Sequence, residues 1–261
     1  MILDDIIKKR KKSLIFDYKN FENLENHINK INRKPISQCI KNDQFSIISE
    51  IKPASPSLGK IRKISDVEKI VLEMQHAGVI GLSILTEPDY FHGSYNNLEI
   101  AIESTELPCL MKDFVIDELQ IRIANNLGAT NILLINLIGN LDKMYQKCLD
   151  YGLEPLIEIH SEKEIKDIEK LFEIGFSPKL LGVNNRDLKT MKIDLNNSKK
   201  IIPKLKHTFG QNIKVISESG IKTTDDINFV MKFGADAVLI GSAIMKSINI
   251  YEKILSLRSV I

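Results

Sequence analysis

The sequence predicts an α/β protein, a single (β/α)8 barrel with an N-terminal helical extension, and three observations predict it. Short apolar, β-branched runs alternate with amphipathic stretches along 261 residues, a length that one such barrel fills. No glycine-rich turn of the doubly wound kind follows the first run, and no composition shift marks a second domain. The polar residues that break the apolar pattern fall at the C-terminal ends of the runs, where a barrel gathers its chemistry.

Residues 1–44 precede the first strand, and 45–261 are expected to form the barrel. Helical spacing predicts helices at 3–14 and 18–31, an extension packed against the barrel. The basic run Lys8-Lys9-Arg10-Lys11-Lys12 is expected on the solvated face of the first helix. Strands are predicted at 46–52, 82–85, 109–112, 132–136, 155–159, 180–183, 214–218 and 237–240. They recur at roughly the spacing of a βα unit.

Between them, 66–77 carries Val67, Ile70, Val71, Met74 and Ala77 on one helical face. Residues 117–127 do the same with Leu119, Ile123, Ala124 and Leu127, and 162–172 with Ile165, Ile168, Leu171 and Phe172. Polar caps at Ser65-Asp66, Ser161-Glu162 and Thr223-Thr224-Asp225 open helices. Gly78, Gly128, Gly152 and Gly234 close others.

With 43% hydrophobic and 27% charged residues, the chain reads as an ordinary soluble globular protein. A formal charge of +2 gives no argument for a nucleic-acid or membrane partner. Cys39, Cys109 and Cys148 are scattered, odd in number and without metal-ligand spacing. They predict free thiols in a reducing cytoplasm and no metal site. No signal-peptide core and no run of membrane-spanning length stands out.

Glu50 and Lys52 are two apart, so on an extended strand they point the same way, among apolar neighbours and just before a Ser-Pro-Ser turn. One such pair is most simply a solvated salt bridge. The pattern recurs, however. Strand three ends in Lys112-Asp113-Phe114, strand four in Asn136, and strand five in Glu158 and His160. Strand six ends in Asn184-Asn185-Arg186-Asp187, strand seven in Ser217-Glu218-Ser219-Gly220, and strand eight in Gly241-Ser242. Charged ends on so many strands converge on one mouth, where burial perturbs pKa values, and this predicts a catalytic pocket.

The last two loops predict a phosphate subsite. Glu218-Ser-Gly-Ile221 and Ile240-Gly-Ser-Ala243 put glycine and serine where backbone N–H groups can face an anion. A short helix from Ser242 would add its positive end, and Ser55 can close the cage from strand one.

These residues carry a resemblance. Glu50-Ile-Lys-Pro-Ala-Ser-Pro-Ser57, Pro108-Cys-Leu-Met-Lys-Asp-Phe114, Leu156-Ile-Glu-Ile-His160, Gly182-Val-Asn-Asn-Arg-Asp-Leu188, Ser217-Glu-Ser-Gly-Ile221 and Leu239-Ile-Gly-Ser242 are similar to indole-3-glycerol-phosphate synthase. Ser83-Ile-Leu-Thr-Glu87 and Phe91-His-Gly-Ser94 fit the same pattern, which runs in order from about residue 45 to 245. The resemblance implies a carboxy-lyase of tryptophan biosynthesis. Its reaction closes the indole ring of 1-(2-carboxyphenylamino)-1-deoxyribulose 5-phosphate and releases carbon dioxide and water.

By that resemblance Lys112 is the general acid at the substrate's C2 carbonyl, with its pKa expected to be lowered by burial. Lys52 would grip the departing carboxylate. Glu158 and Lys52 would serve the dehydration, with Glu50 and Glu218 tuning or sharing those roles. Asn184 would bind the substrate hydroxyls, and Arg186 the anthranilate end or the surrounding carboxylates. Ser55, Gly220, Gly241 and Ser242 would hold the phosphate with Ser219 beside them, and Phe91 and Phe114 would flank the aromatic ring. His160 reads as structural. The implied reaction has no redox or hydride step, so no cofactor is expected.

Pro53 and Leu58 stand where many family members carry basic residues, which removes positive charge near an anionic substrate. Two other readings compete. A phosphoribosylanthranilate isomerase or sugar-phosphate epimerase would share the anion site but not the Glu50/Lys52/Lys112/Glu158 set, and Cys109 lies before its strand end. A silent scaffold barrel should have lost a charged strand end, and all are present. The expected partner is a phosphorylated small molecule, with no nucleic acid and no membrane. A monomer is expected, with association with other tryptophan-pathway enzymes left open.

Overall fold

Eight parallel strands close into a barrel in the computed structural model, which describes residues 2–21, 33–41 and 45–259. They are β1 (Ser46–Ile51), β2 (Gly81–Leu85), β3 (Cys109–Lys112), β4 (Asn131–Ile135), β5 (Glu154–Ile159), β6 (Leu180–Asn184), β7 (Lys214–Glu218) and β8 (Ala237–Ile240). Each pairs with its neighbours in sequence, and β8 returns to β1 with Ala237 opposite Ser46.

The helices are α1 (Ile2–Asn20), α2 (Ile36–Cys39), α3 (Val67–His76), α4 (Tyr95–Glu103), α5 (Glu118–Leu127) and α6 (Leu141–Asp150). They continue as α7 (Ile165–Glu173), α8 (Asn196–Phe209), α9 (Thr224–Lys232), α10 (Ser242–Met245) and α11 (Ile250–Arg258).

Strand alternation makes two cores. Ile48, Leu110, Leu133, Leu156, Leu180, Ile216 and Leu239 cluster in the barrel interior. Their neighbours Ile47, Met111, Ile132, Ile157, Leu181, Val215 and Val238 pack outward with the helices. Both faces are buried, which is why the strands read as unbroken apolar runs.

All eight predicted strands are present, to within a residue at each end. The predicted helix at 162–172 splits: Glu162–Glu164 is a 3-10 turn, and the α-helix starts at Ile165. The Glu164 carboxylate turns back to accept from the His160 N–H and the Ser161 hydroxyl.

The extension covers both ends of the barrel. At the bottom, the Ile36 N–H donates to Asn131 Oδ1, and Ser37 bonds Glu154 at the start of β5. At the top, Ile2, Leu3 and Ile6 reach the mouth. The first helix runs through Asn20 and includes Tyr18, so the predicted break at 14 is absent. The rest of the predicted second helix, from residue 22, lies outside the described residues.

Arg10 corrects the reading of the basic run. Lys8, Lys9, Lys11 and Lys12 are exposed, but Arg10 is fully buried in register with Ile6 and Leu14. Its Nε donates to Asp113 Oδ1 at 2.9 Å and its Nη2 to Asp113 Oδ2 at 3.1 Å. Nη2 also meets Asp17 Oδ2 at 2.8 Å and the Tyr95 hydroxyl at 2.7 Å.

Candidate active site

The C-terminal strand ends surround a cavity of about 620 Å³. Glu50 leaves β1 inward because it is even-spaced from Ile48, and Lys52 follows on the same side. Their side chains meet, Lys52 Nζ donating to Glu50 Oε1 at 2.5 Å. From the end of β3, Lys112 Nζ reaches Glu50 Oε2 at 3.1 Å and Glu218 Oε2 at 2.7 Å. Three strands thus share one ion network across the barrel.

Two glycines make room for it. A Cβ at Gly182 would overlap Glu218 Oε1, and a Cβ at Gly241 would overlap Glu50 Oε1. Glu218 Oε1 is buried without a hydrogen-bond partner among the described residues, and burial pushes the Glu218 carboxyl up to about 7. Lys112 opposes that rise, while Glu158 and Glu50 add to it.

Lys112 departs from expectation. Burial does push its pKa down, but the carboxylates of Glu218, Glu50 and Glu158 outweigh burial and raise it above the ordinary lysine value. The lysine is a firmly held cation. Glu50 shows the reverse balance: burial pushes its carboxyl up, but Lys112 and Lys52 bring it down to about 2.

Glu158, on β5, is also held ionised. Burial opposes this, but His160, Lys112 and Asn184 prevail, and His160 Nε2 lies 3.2 Å from Glu158 Oε1. His160 therefore touches a candidate catalytic carboxylate. Asn184, at the end of β6, accepts the Arg186 N–H through Oδ1 at 2.9 Å. Arg186 Nη1 then crosses the mouth to Ser57 Oγ at 3.2 Å.

The two phenylalanines expected to flank the aromatic ring lie side by side. Phe91 and Phe114 line the cavity with ring centroids 6.0 Å apart. Phe91 is set by Glu87, which the sequence placed in a motif but to which it gave no role. Its carboxylate accepts the N–H groups of Asp89, Tyr90 and Phe91 at 2.8 to 2.9 Å.

Ser55, Ser219, Gly220, Gly241 and Ser242 also line the cavity. The Ser55 hydroxyl is buried and has no hydrogen-bond partner among the described residues. Ser219 adopts a left-handed φ of 64°, uncommon for a residue with a Cβ. Lys222, Lys246 and Lys253 line the same wall, and Lys253 Nζ donates to Lys222 O at 3.0 Å. The three are far apart in sequence and gave no signal there.

Of the predicted site residues, Glu218 alone does not reach the cavity wall; it lies behind Lys112. Asn136 turns away as well, donating to Glu164 Oε2 and Asp167 Oδ2. Cys109 begins β3 at the closed end, and burial pushes its thiol up to about 12.

Chemically, the glycine and serine loops can receive an anion and the two phenylalanines can face an aromatic ring. The same cavity holds a buried ammonium flanked by carboxylates, a second lysine and an ionised glutamate.

A family model described as indole-3-glycerol phosphate synthase matches residues 3–257. The indole-3-glycerol phosphate synthase of Methanocaldococcus jannaschii is 43% identical over 271 residues, covering 97% of each chain. That of Bacillus thuringiensis is 37% identical, covering 96% of this chain and 95% of its own. A solved thiamine phosphate pyrophosphorylase from Pyrococcus furiosus superposes with a TM-score of 0.60 at 16% identity. It covers 84% of this chain and 96% of its own, which shows the barrel fold alone. A match over nearly the whole length, with relatives of one name in both Methanocaldococcus and Bacillus, settles the family: the chain belongs to the indole-3-glycerol phosphate synthases.

Proposed function

We propose that the mouth of this barrel carries out the family's ring closure with Lys112 as the acid of the first step. The enzyme is a carboxy-lyase of tryptophan biosynthesis acting on a phosphorylated small molecule. The observation that carries the assignment of roles is the placement of Lys112 Nζ between Glu50 and Glu218 at the cavity wall.

The aromatic carbon of 1-(2-carboxyphenylamino)-1-deoxyribulose 5-phosphate attacks the C2 carbonyl, and negative charge gathers on its oxygen. Lys112, charged throughout the neutral range, meets that charge with a proton. Lys52, fixed by Glu50, grips the carboxylate that leaves as carbon dioxide. In the dehydration, Lys52 donates to the departing hydroxyl and the ionised Glu158 takes the ring proton. Glu218 acts through Lys112, which it holds in place. Asn184 takes the substrate hydroxyls, Arg186 the anthranilate end, and Phe91 and Phe114 wall the ring.

Ser55, Ser219, Gly220, Gly241 and Ser242 take the phosphate, with Lys222, Lys246 and Lys253 supplying charge around it. We read the chain as one domain, a 1–44 extension on a 45–261 barrel, working as a cytoplasmic monomer. Among the described residues no helix is long and apolar enough to cross a membrane. Formation of a fluorescent indole product from the substrate by the purified protein tests the reading. A folded protein with no turnover would end it.

Leu58 lines the cavity and is partly exposed, so Leu58→Lys adds a cation beside the substrate at little structural cost. KM is expected to fall about fivefold, roughly 1 kcal/mol of partly screened attraction, with kcat unchanged. A rise in kcat instead would mean that this loop limits chemistry or product release.

The acid limb of the pH profile should belong to Glu218. Below about 7 this residue takes up a proton and loosens its hold on Lys112, so kcat is expected to fall on that side. Glu218→Gln should lower the plateau and remove this limb. A limb unchanged in the variant assigns it to another group.

A further inference from the structure

We propose that Asn185 is the positioning residue of the phosphate subsite, its side-chain amide aiming the Ser219 and Gly220 N–H groups into the cavity. The proposal rests on reading the loops after β7 and β8 as the phosphate site. Asn185 is buried at the end of β6 and does not line the cavity, so it acts only through others.

Its amide is used on every side. Oδ1 accepts the Ser198 N–H at 3.0 Å and the Ser198 hydroxyl at 2.8 Å, near the start of α8. A backbone N–H must donate, so Oδ1 faces Ser198 and the NH2 group faces β7. There Nδ2 has three acceptors within reach, Ser217 Oγ at 2.9 Å, Glu218 O at 3.0 Å and Ser219 O at 3.1 Å, which share its two N–H groups. The Asn185 backbone N–H adds a second bond to Glu218 O at 2.9 Å.

The geometry of the peptide unit turns these contacts into a direction. In a trans peptide the C=O and the following N–H point opposite ways, and this chain has no cis bond among the described residues. Holding Glu218 O toward Asn185 turns the Ser219 N–H away from it. Holding Ser219 O does the same for the Gly220 N–H. Both residues line the cavity, and among the described residues neither N–H donates a hydrogen bond. Successive unpaired N–H groups around a left-handed residue form an anion-binding concavity. Ser219, at φ 64°, is held in that conformation by the bond its carbonyl accepts.

Asn185→Asp keeps the shape and the acceptor toward Ser198, but turns an oxygen on the two carbonyls. We expect KM and the competitive inhibition constant of inorganic phosphate to rise together, by about tenfold or more. Saturated kcat should fall by less than about threefold, because Lys112, Lys52 and Glu158 stay in place. Should that variant not fold, Ser198→Ala, which removes one of the two bonds to the acceptor side of the amide, should raise both constants by a smaller factor. A lowered Tm with both constants unchanged, or a loss confined to kcat, would overturn the proposal. Phosphate inhibition of the parent enzyme is measured first. If it is absent, the phosphate-site reading and this proposal fall together; if it is present but untouched by either variant, only the role of Asn185 is lost.

Discussion

Lys112→Ala is expected to lower kcat by about three orders of magnitude while leaving KM within a few fold, the signature of a lost general acid. Fold should survive. Glu50 keeps Lys52 as its cation, and Glu218, already pushed up to about 7, takes a proton once Lys112 is gone. The variant therefore loses its acid without stranding a buried charge. Lys112→Arg separates charge from proton donation. Its guanidinium can still face Glu50 and Glu218, but its planar fork does not put an N–H where the ammonium meets the carbonyl oxygen. We expect it to be nearly as slow as the alanine variant. Single-turnover fluorescence of the indole product reads both. A loss of less than tenfold in Lys112→Ala would move the acid elsewhere, and Lys52 is the next ammonium along the wall.

The barrel and the addresses of its site were legible because they depend on local rules. A strand buried on both faces is a continuous apolar run, and a two-residue period puts Glu50 and Lys52 on one side of β1. What the sequence could not show is who faces whom across the mouth. Burial of Lys112 suggested a lowered pKa, and burial does act that way. The sign is reversed by carboxylates from β1, β5 and β7, one of them 106 residues away.

Glu218 looked equivalent to the other strand-end acids, yet it stands one layer back because Gly182 leaves it a niche. Asn136 occupied a mouth position by register but found Glu164 and Asp167 closer. Arg10 was hidden by its neighbours. A run of basic residues reads as solvated, and only the four-residue spacing from Ile6 to Arg10 to Leu14 gave it away.

That arginine carries the largest expected effect on stability. Arg10→Met is expected to destabilise the fold by about 3 to 5 kcal/mol, the usual result of removing one partner from a buried ion pair. The side chain's bulk is largely kept, so the loss comes chiefly from Asp113, left buried with the Thr86 hydroxyl and the Phe114 N–H as its donors among the described residues, while the less buried Asp17 loses its cation too. Burial already pushes the Asp113 carboxyl above its ordinary value, against the pull of Arg10, and without Arg10 it rises further. A carboxyl whose pKa is raised in the folded state favours folding when protonated. The penalty in the variant should therefore shrink as pH falls from about 8 to about 5. Adding Asp113→Asn removes the stranded charge, so the double variant should be more stable than Arg10→Met alone at neutral pH. Denaturant titrations of the parent, the two single variants and the double variant at both pH values read this directly. Additive losses that do not change with pH would mean that Arg10 contributes through packing alone. Activity gives a separate readout, because Ile2, Leu3 and Ile6 on the same helix wall the cavity while Lys112 and Phe114 flank Asp113. KM in Arg10→Met should rise even where the protein is fully folded. Adding Asp113→Asn should not restore it, since the tie between α1 and the end of β3 is still cut.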